Sequence, residues 1–207
     1  MLRLAPLLFA LTLTACFGGS SNPSRNAPDG AGEVCGVSGL IGTPIGTVQH
    51  NGNRACTVSN AVDLHSVSGV QLTGDTRLNC TAAKALNTWV KKTAKPATCR
   101  ETGEALASLQ TWSSFRCSNR PGGRISEHAK GNAIDIGSLT TTSGARISVL
   151  SDWGSRQYGP LLAKLKSGAC GPFGVVLHPD NDAAHKDHFH FDTSNRSGRY
   201  VYCKRNP

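Results

Sequence analysis

The sequence predicts an α+β domain braced by disulfides, and three observations predict it. Apolar residues recur at helical spacing twice, at Ala83, Leu86, Trp89 and Val90 and again at Leu161, Leu162 and Leu165. Short runs alternate apolar and polar residues with a period of two, at residues 132–136 and 188–191. Cysteines are spread along a chain whose first residues read as an export signal, so they are expected to meet an oxidising compartment.

The elements follow in order. Met1-Leu2-Arg3 gives a short positive start, and residues 4–13 are almost all apolar. That run falls short of the roughly 18–20 residues that span a bilayer, so it reads as a cleaved signal over residues 1–16. Leu13-Thr14-Ala15-Cys16 resembles the lipobox of bacterial lipoproteins, which implies cleavage before Cys16 and lipidation of that residue. Residues 17–34, dominated by Gly, Ser, Asn and Pro, read as a flexible linker. Residues 35–80 carry Cys35, Cys56, Cys80 and short β-type runs at 46–48 and 67–70, and read as a small disulfide-stapled β segment.

The main domain is expected over residues 81–207. Thr81 is placed to cap a helix running from Ala82 to about Thr93, with Pro96 as its stop. Residues 105–116 read as a strand. At 132–136, Ile134 and Ile136 face the core, so Ala133 and Asp135 face the other way. A second helix ends near Gly168, and strands follow at 173–177 and 188–191. In the last strand Phe189 and Phe191 share one face, and His188 and His190 share the other.

There are eight cysteines. With Cys16 assigned to lipid, an odd number remains, so at least one thiol is left over or pairs elsewhere, and spacing does not fix the connectivity. No Cys-x-x-Cys pair occurs, which sets aside a cysteine zinc cluster. The formal net charge of +9 suits an anionic polymer, but Lys and Arg are scattered rather than striped, which argues against nucleic acid.

Of seven histidines, His128, His178, His185, His188 and His190 crowd the C-terminal part. Imidazole and carboxylate are suitable zinc ligands, and a catalytic zinc keeps three protein ligands and one open position. Ser126, His128, Gly131, Ala133 and Asp135 form the string Ser-x-His-x-x-Gly-x-Ala-x-Asp, followed later by His188-Phe189-His190. This pattern resembles the zinc peptidases of the D-Ala-D-Ala carboxypeptidase, murein endopeptidase and hedgehog-like superfamily. More closely, SEHAKGNAIDIG, RISVLSDWG, FGVVLHPDNDAAHKDHFHFD and YCK make residues 80–203 similar to the bacterial extensin-like C-terminal domain family.

The resemblance implies a small antiparallel sheet with flanking helices, and Zn2+ held by His128, Asp135 and His190. It implies hydrolysis of amide bonds in peptidoglycan stem peptides or cross-links. The His185, His188 and His190 spacing is similar to the murein endopeptidase branch. Ala184 stands where a hedgehog-like sequence carries Glu, so the general base falls to His188 or His185. Arg116 resembles the upstream Arg of carboxypeptidase relatives, a cationic donor for an oxyanion or a substrate carboxylate. Asp187 and Asp192 read as carboxylates that orient imidazoles. Asp182 reads as a solvated charge, Glu127 as a solvent-facing loop residue, and Trp89, Trp112 and Trp153 as core or cleft walls. With the export signal, the expectation is a monomeric lipoprotein of the cell envelope facing the periplasm, on the outer membrane rather than the inner. Its expected partner is peptidoglycan. The alternative is a non-catalytic, zinc-containing lipoprotein that binds peptidoglycan.

Overall fold

A computed structural model describes residues 30–120 and 122–194. Ten strands form one sheet. They are β1 (Gly32–Glu33), β2 (Leu40–His50), β3 (Asn53–Val67), β4 (Val70–Gly74), β5 (Arg77–Asn79), β6 (Leu106–Ser113), β7 (Ala133–Thr141), β8 (Arg146–Ser148), β9 (Val175–Leu177) and β10 (Phe189–Asp192). Their spatial order is β1-β2-β3-β4-β6-β7-β10-β9, with β5 beside β3 and β8 beside β7. The architecture is α+β, with a sheet larger than expected and mixed in direction. Residues 35–80 contribute β2 to β5 to this same sheet. Asn51 and Gly52, both in the left-handed region (φ 45° and 73°), close the β2–β3 hairpin.

One pair, β4 with β6, is parallel. A parallel pair needs a long crossover, and the helices between the two strands provide it. The first of them, α1 (Cys80–Trp89), is capped by Asn79, whose side chain accepts from the Ala82 N–H at 2.9 Å, rather than by Thr81. Pro96 does not end it. Residues Val90–Ala94 widen into a π-helical turn, in which the Lys95 N–H bonds the Val90 carbonyl. α2 (Lys95–Thr102) runs on from this turn with Pro96 at its start, and the widened turn ahead of it accommodates the missing N–H. Gly103, at φ 75°, closes α2.

Two further helices, α3 (Val149–Asp152) and α4 (Gly159–Ala169), precede β9. The core lies between the helices and the sheet. Fully buried Trp89 donates its indole N–H to the Leu165 carbonyl at 3.0 Å and meets Phe191 edge-on, with centroids 5.2 Å apart. Phe173 also packs on Phe191 at 5.2 Å. Burying each such side chain contributes roughly 1.5–3 kcal/mol. That apolar face anchors β10, the strand that carries His190 on its other side.

Disulfides join Cys35 to Cys80 and Cys56 to Cys117, and Cys99 and Cys170 are disulfide-bonded as well. No described cysteine is free. Cys16, Cys203 and most of the 17–34 linker lie outside the described residues. Among the described residues no helix is long and apolar enough to cross a membrane.

Candidate metal centre

Three separate pieces of chain bring the site together. Ser126 caps a single 3-10 turn, Glu127–Lys130, by accepting from the His128 N–H at 3.3 Å. Gly131 closes the turn at φ 63°, and a Cβ there would lie 2.7 Å from a Val58 methyl and 2.9 Å from the Asn79 nitrogen. Only glycine lets the turn sit this tightly on β3 and the start of α1. β7 follows at once, and its alternation buries Ile134 and Ile136 in the core while Asp135 takes the opposite face. β10 pairs antiparallel with β7, placing His190 directly across from Asp135, Phe189 across from Ile136 and Phe191 across from Ile134.

The result is a compact triangle of donor atoms. His128 Nε2 lies 3.1 Å from His190 Nδ1 and 3.2 Å from Asp135 Oδ1. His190 Nδ1 lies 2.9 Å from Asp135 Oδ1. Ligand atoms about 2.0–2.1 Å from a tetrahedral zinc stand about 3.3 Å from one another. These three side chains therefore fit a single cation of that size, and all three residues are buried.

The outward nitrogens fix which lone pairs face inward. His128 Nδ1–H donates to the Ser114 carbonyl at 3.0 Å. His190 Nε2–H donates to the fully buried Asp192 carboxylate at 3.2 Å. Two nitrogen lone pairs and a carboxylate then converge, which demands a proton or a cation between them. In the metal-free chain His190 meets that demand. Burial pushes its pKa down, but hydrogen bonds and charge from Asp135 and Asp192 outweigh burial and raise it to about 9. Burial pushes Asp135 up, yet its bonds to His128 and His190 hold it well below the usual carboxylate range. Asp192 is held down in the same way by His190 and Ser194 against its own burial.

Two further imidazoles stand at the rim. His188 Nε2 is 3.7 Å from Asp135 Oδ1, and its Nδ1 bonds the Asp187 carboxylate at 2.8 Å. His185 Nδ1 bonds Asp182 at 2.7 Å, and its ring centroid is 5.3 Å from His188 and 5.7 Å from His190. Burial lowers the pKa of His185, with Asp182 opposing. Asp182 is exposed, as expected of a solvated charge, and in addition holds the His185 ring. It also caps the turn Ala183–His185 by accepting the Ala184 and His185 N–H groups. Glu127 likewise does not face solvent. It is buried and binds Arg120 at 2.9 Å, Lys130 at 3.3 Å and Asn132 at 2.8 Å, which ties the His128 turn together.

Arg116 is exposed, two residues beyond the Ser114 carbonyl that receives the His128 Nδ1–H. The chain leaves the sheet after Ser113, and the Cys56–Cys117 bond draws the next segment toward β3, leaving Arg116 exposed. Among the described residues no hydrogen bond or ion pair joins it to the triangle. Trp89 belongs to the core, whereas Trp112 is 43% exposed with its ring 5.8 Å from His188. Trp112 lies so close over Gly137 that a Cβ there would be 2.1 Å from the indole. Trp153 donates to Asp180 at 2.7 Å. Sequence reasoning missed the Ser114 carbonyl, because a backbone acceptor leaves no residue-type signal. It also gave no role to His178, which is buried with its ring 5.2 Å from Trp153.

Residues 42–204 match the family described as extensin-like protein C-terminus. No curated protein and no solved structure matches the chain.

Proposed function

We propose, for a chain that belongs to the extensin-like protein C-terminus family, a zinc-dependent peptidase that hydrolyses amide bonds in peptidoglycan stem peptides or cross-links. The observation that carries this reading is the triangle of His128 Nε2, Asp135 Oδ1 and His190 Nδ1, whose edges suit one tetrahedral cation and whose rim holds two more imidazoles. Those three atoms are the proposed ligands.

Bound zinc supplies a Lewis acid that polarises a carbonyl and acidifies water. The protein's own groups do the rest. Asp187 takes the Nδ1–H of His188, which leaves Nε2 as a lone pair on the side of the triangle. From there His188 accepts a proton from the attacking water and returns it to the leaving amine. His185, held by Asp182, stands next to it as the second candidate for that proton. Arg116, exposed, suits a wall carboxylate better than an oxyanion. The net charge of +9 favours a carboxylate-rich polymer as partner. Export, lipid attachment at Cys16 and a periplasm-facing position on the outer membrane complete the proposal.

The test is mass spectrometry of muropeptides after incubation with pure, metal-replete protein. Peptide products are expected from the wild type and are expected to vanish with a chelator or with His190→Ala. If several muropeptide types yield no product, the enzyme reading falls.

A second reading has specific support in Ala184, which stands where an acidic base is carried in hedgehog-like sequences. It is a non-catalytic wall-binding lipoprotein that keeps zinc for stability. It expects sacculus pull-down that survives His185→Ala and His188→Ala, and no turnover in the wild type. Turnover in the wild type that those two variants lose would exclude it.

A further inference from the structure

The parallel ladder between β4 and β6 ends at the pair Gly74 and Thr111. A Cβ on Gly74 would lie 2.0 Å from the Thr111 carbonyl oxygen, so the two backbones meet closely at that point. The Thr111 hydroxyl lies at the same corner and shares its one proton between the Thr73 carbonyl at 2.8 Å and the Asp75 carbonyl at 2.7 Å. Asp75 is thus fixed just beyond the end of the ladder. β6 stops at Ser113, and the next two N–H groups have no sheet partner. The Asp75 carboxylate takes both, from Ser114 at 2.9 Å and from Phe115 at 3.2 Å.

Ser114 is fully buried, and its hydroxyl has no partner among the described residues, so its backbone is what the fold holds. The Phe115 N–H and the Ser114 carbonyl belong to one peptide group. An anion accepting at that N–H strengthens the carbonyl as an acceptor, because linked hydrogen bonds polarise one another. That carbonyl receives the His128 Nδ1–H at 3.0 Å.

We propose that Asp75 is a positioning residue of the metal centre, acting through the Ser114–Phe115 peptide to fix the tautomer and aim of His128. His190 has its carboxylate, Asp192, in direct contact; His128 has an equivalent one peptide group away. Carboxylates behind ligand imidazoles orient the ring and raise its basicity.

The experiment compares full-length wild type with Asp75→Asn. In the metal-free proteins, nitrogen–proton NMR of the imidazoles reads the tautomers. Wild-type His128 is expected as a single Nδ1–H form, and Asp75→Asn is expected to shift or mix it while His190 stays unchanged. With zinc, chelator competition is expected to show affinity falling about 10- to 100-fold, and substitution by cobalt to show displaced visible bands. A folded Asp75→Asn whose His128 signals match the wild type overturns the proposal. The affinity arm rests on the metal reading above, and the NMR arm does not. Absence of zinc binding in the wild type would reject that reading, and the His128 spectrum would still decide the role of Asp75. If Asp75→Asn does not fold, Thr111→Val, which releases the Asp75 carbonyl, is judged by the same criterion.

Discussion

The inner triangle and the outer pair of histidines are built differently. His128 and His190 are buried, and apart from Asp192, two residues from His190, their supports come from distant places: the end of β6, and β7 across the sheet. His185 and His188 lean on Asp182 and Asp187, three and one residues away in the chain. The inner groups add to one local carboxylate the supports that only the whole fold supplies, whereas the outer groups carry their hydrogen-bond partners with them. The inner site is thereby suited to holding an ion rigidly, and the outer one to exchanging protons with what arrives from solvent.

The strongest test of that division is His190→Ala. It removes a proposed ligand and leaves the Asp135 and Asp192 carboxylates buried without their shared cation. Zinc affinity is expected to fall by more than the ~100-fold tied to a supporting partner. Breaking a buried pair of this kind costs about 3–5 kcal/mol, which denaturant titration of the metal-free protein would read. His188→Ala is expected to lower kcat by about 10²- to 10⁴-fold with zinc content unchanged. Loss of zinc from that variant would show that rim and triangle are one unit.

The two regions should also respond to pH with opposite sign. The folded pKa of His190 is raised from 6.5 to about 9. Its contribution to metal-free stability is therefore full below 6.5 and is lost as pH rises through about 9. The folded pKa of His185 is lowered by burial, so its contribution is present above 6.5 and is lost as pH falls. Melting temperatures of the metal-free protein across this range should show both limbs. His190→Ala should flatten the alkaline one, and His185→Ala should blunt the acid one. In the same window zinc should bind more tightly as pH rises toward 9, because the metal competes with the His190 proton. The smallest effect belongs to Asp182→Asn, a half-exposed pair whose loss is expected to change stability by no more than about 1 kcal/mol.

What was legible in the sequence follows the same division. Alternation in residues 132–136 and 188–191 placed Asp135 and His190 on the face opposite the core, since a two-residue period is written directly in side-chain polarity. Asn79 and Thr81 are both competent caps, and choosing between them depends on where β5 releases the chain. Pro96 signals a stop, and only the π-helical turn ahead of it explains why the helix continues. The parallel pairing of β4 with β6 is a long-range choice that neither strand states alone. Glu127 looks like a surface charge until the turn it closes is folded.

β10 carries a last consequence. Its side chains alternate, with Phe189 and Phe191 in the core and His190 against Asp135. A slip of one residue against β7 would drive an imidazole in beside Trp89 and turn an aromatic ring toward a carboxylate. Misassembly at this seam is thus penalised twice, and under the proposed metal reading ion capture would become a readout of correct pairing: a chain that took up metal would, by that act, have proofread its own sheet.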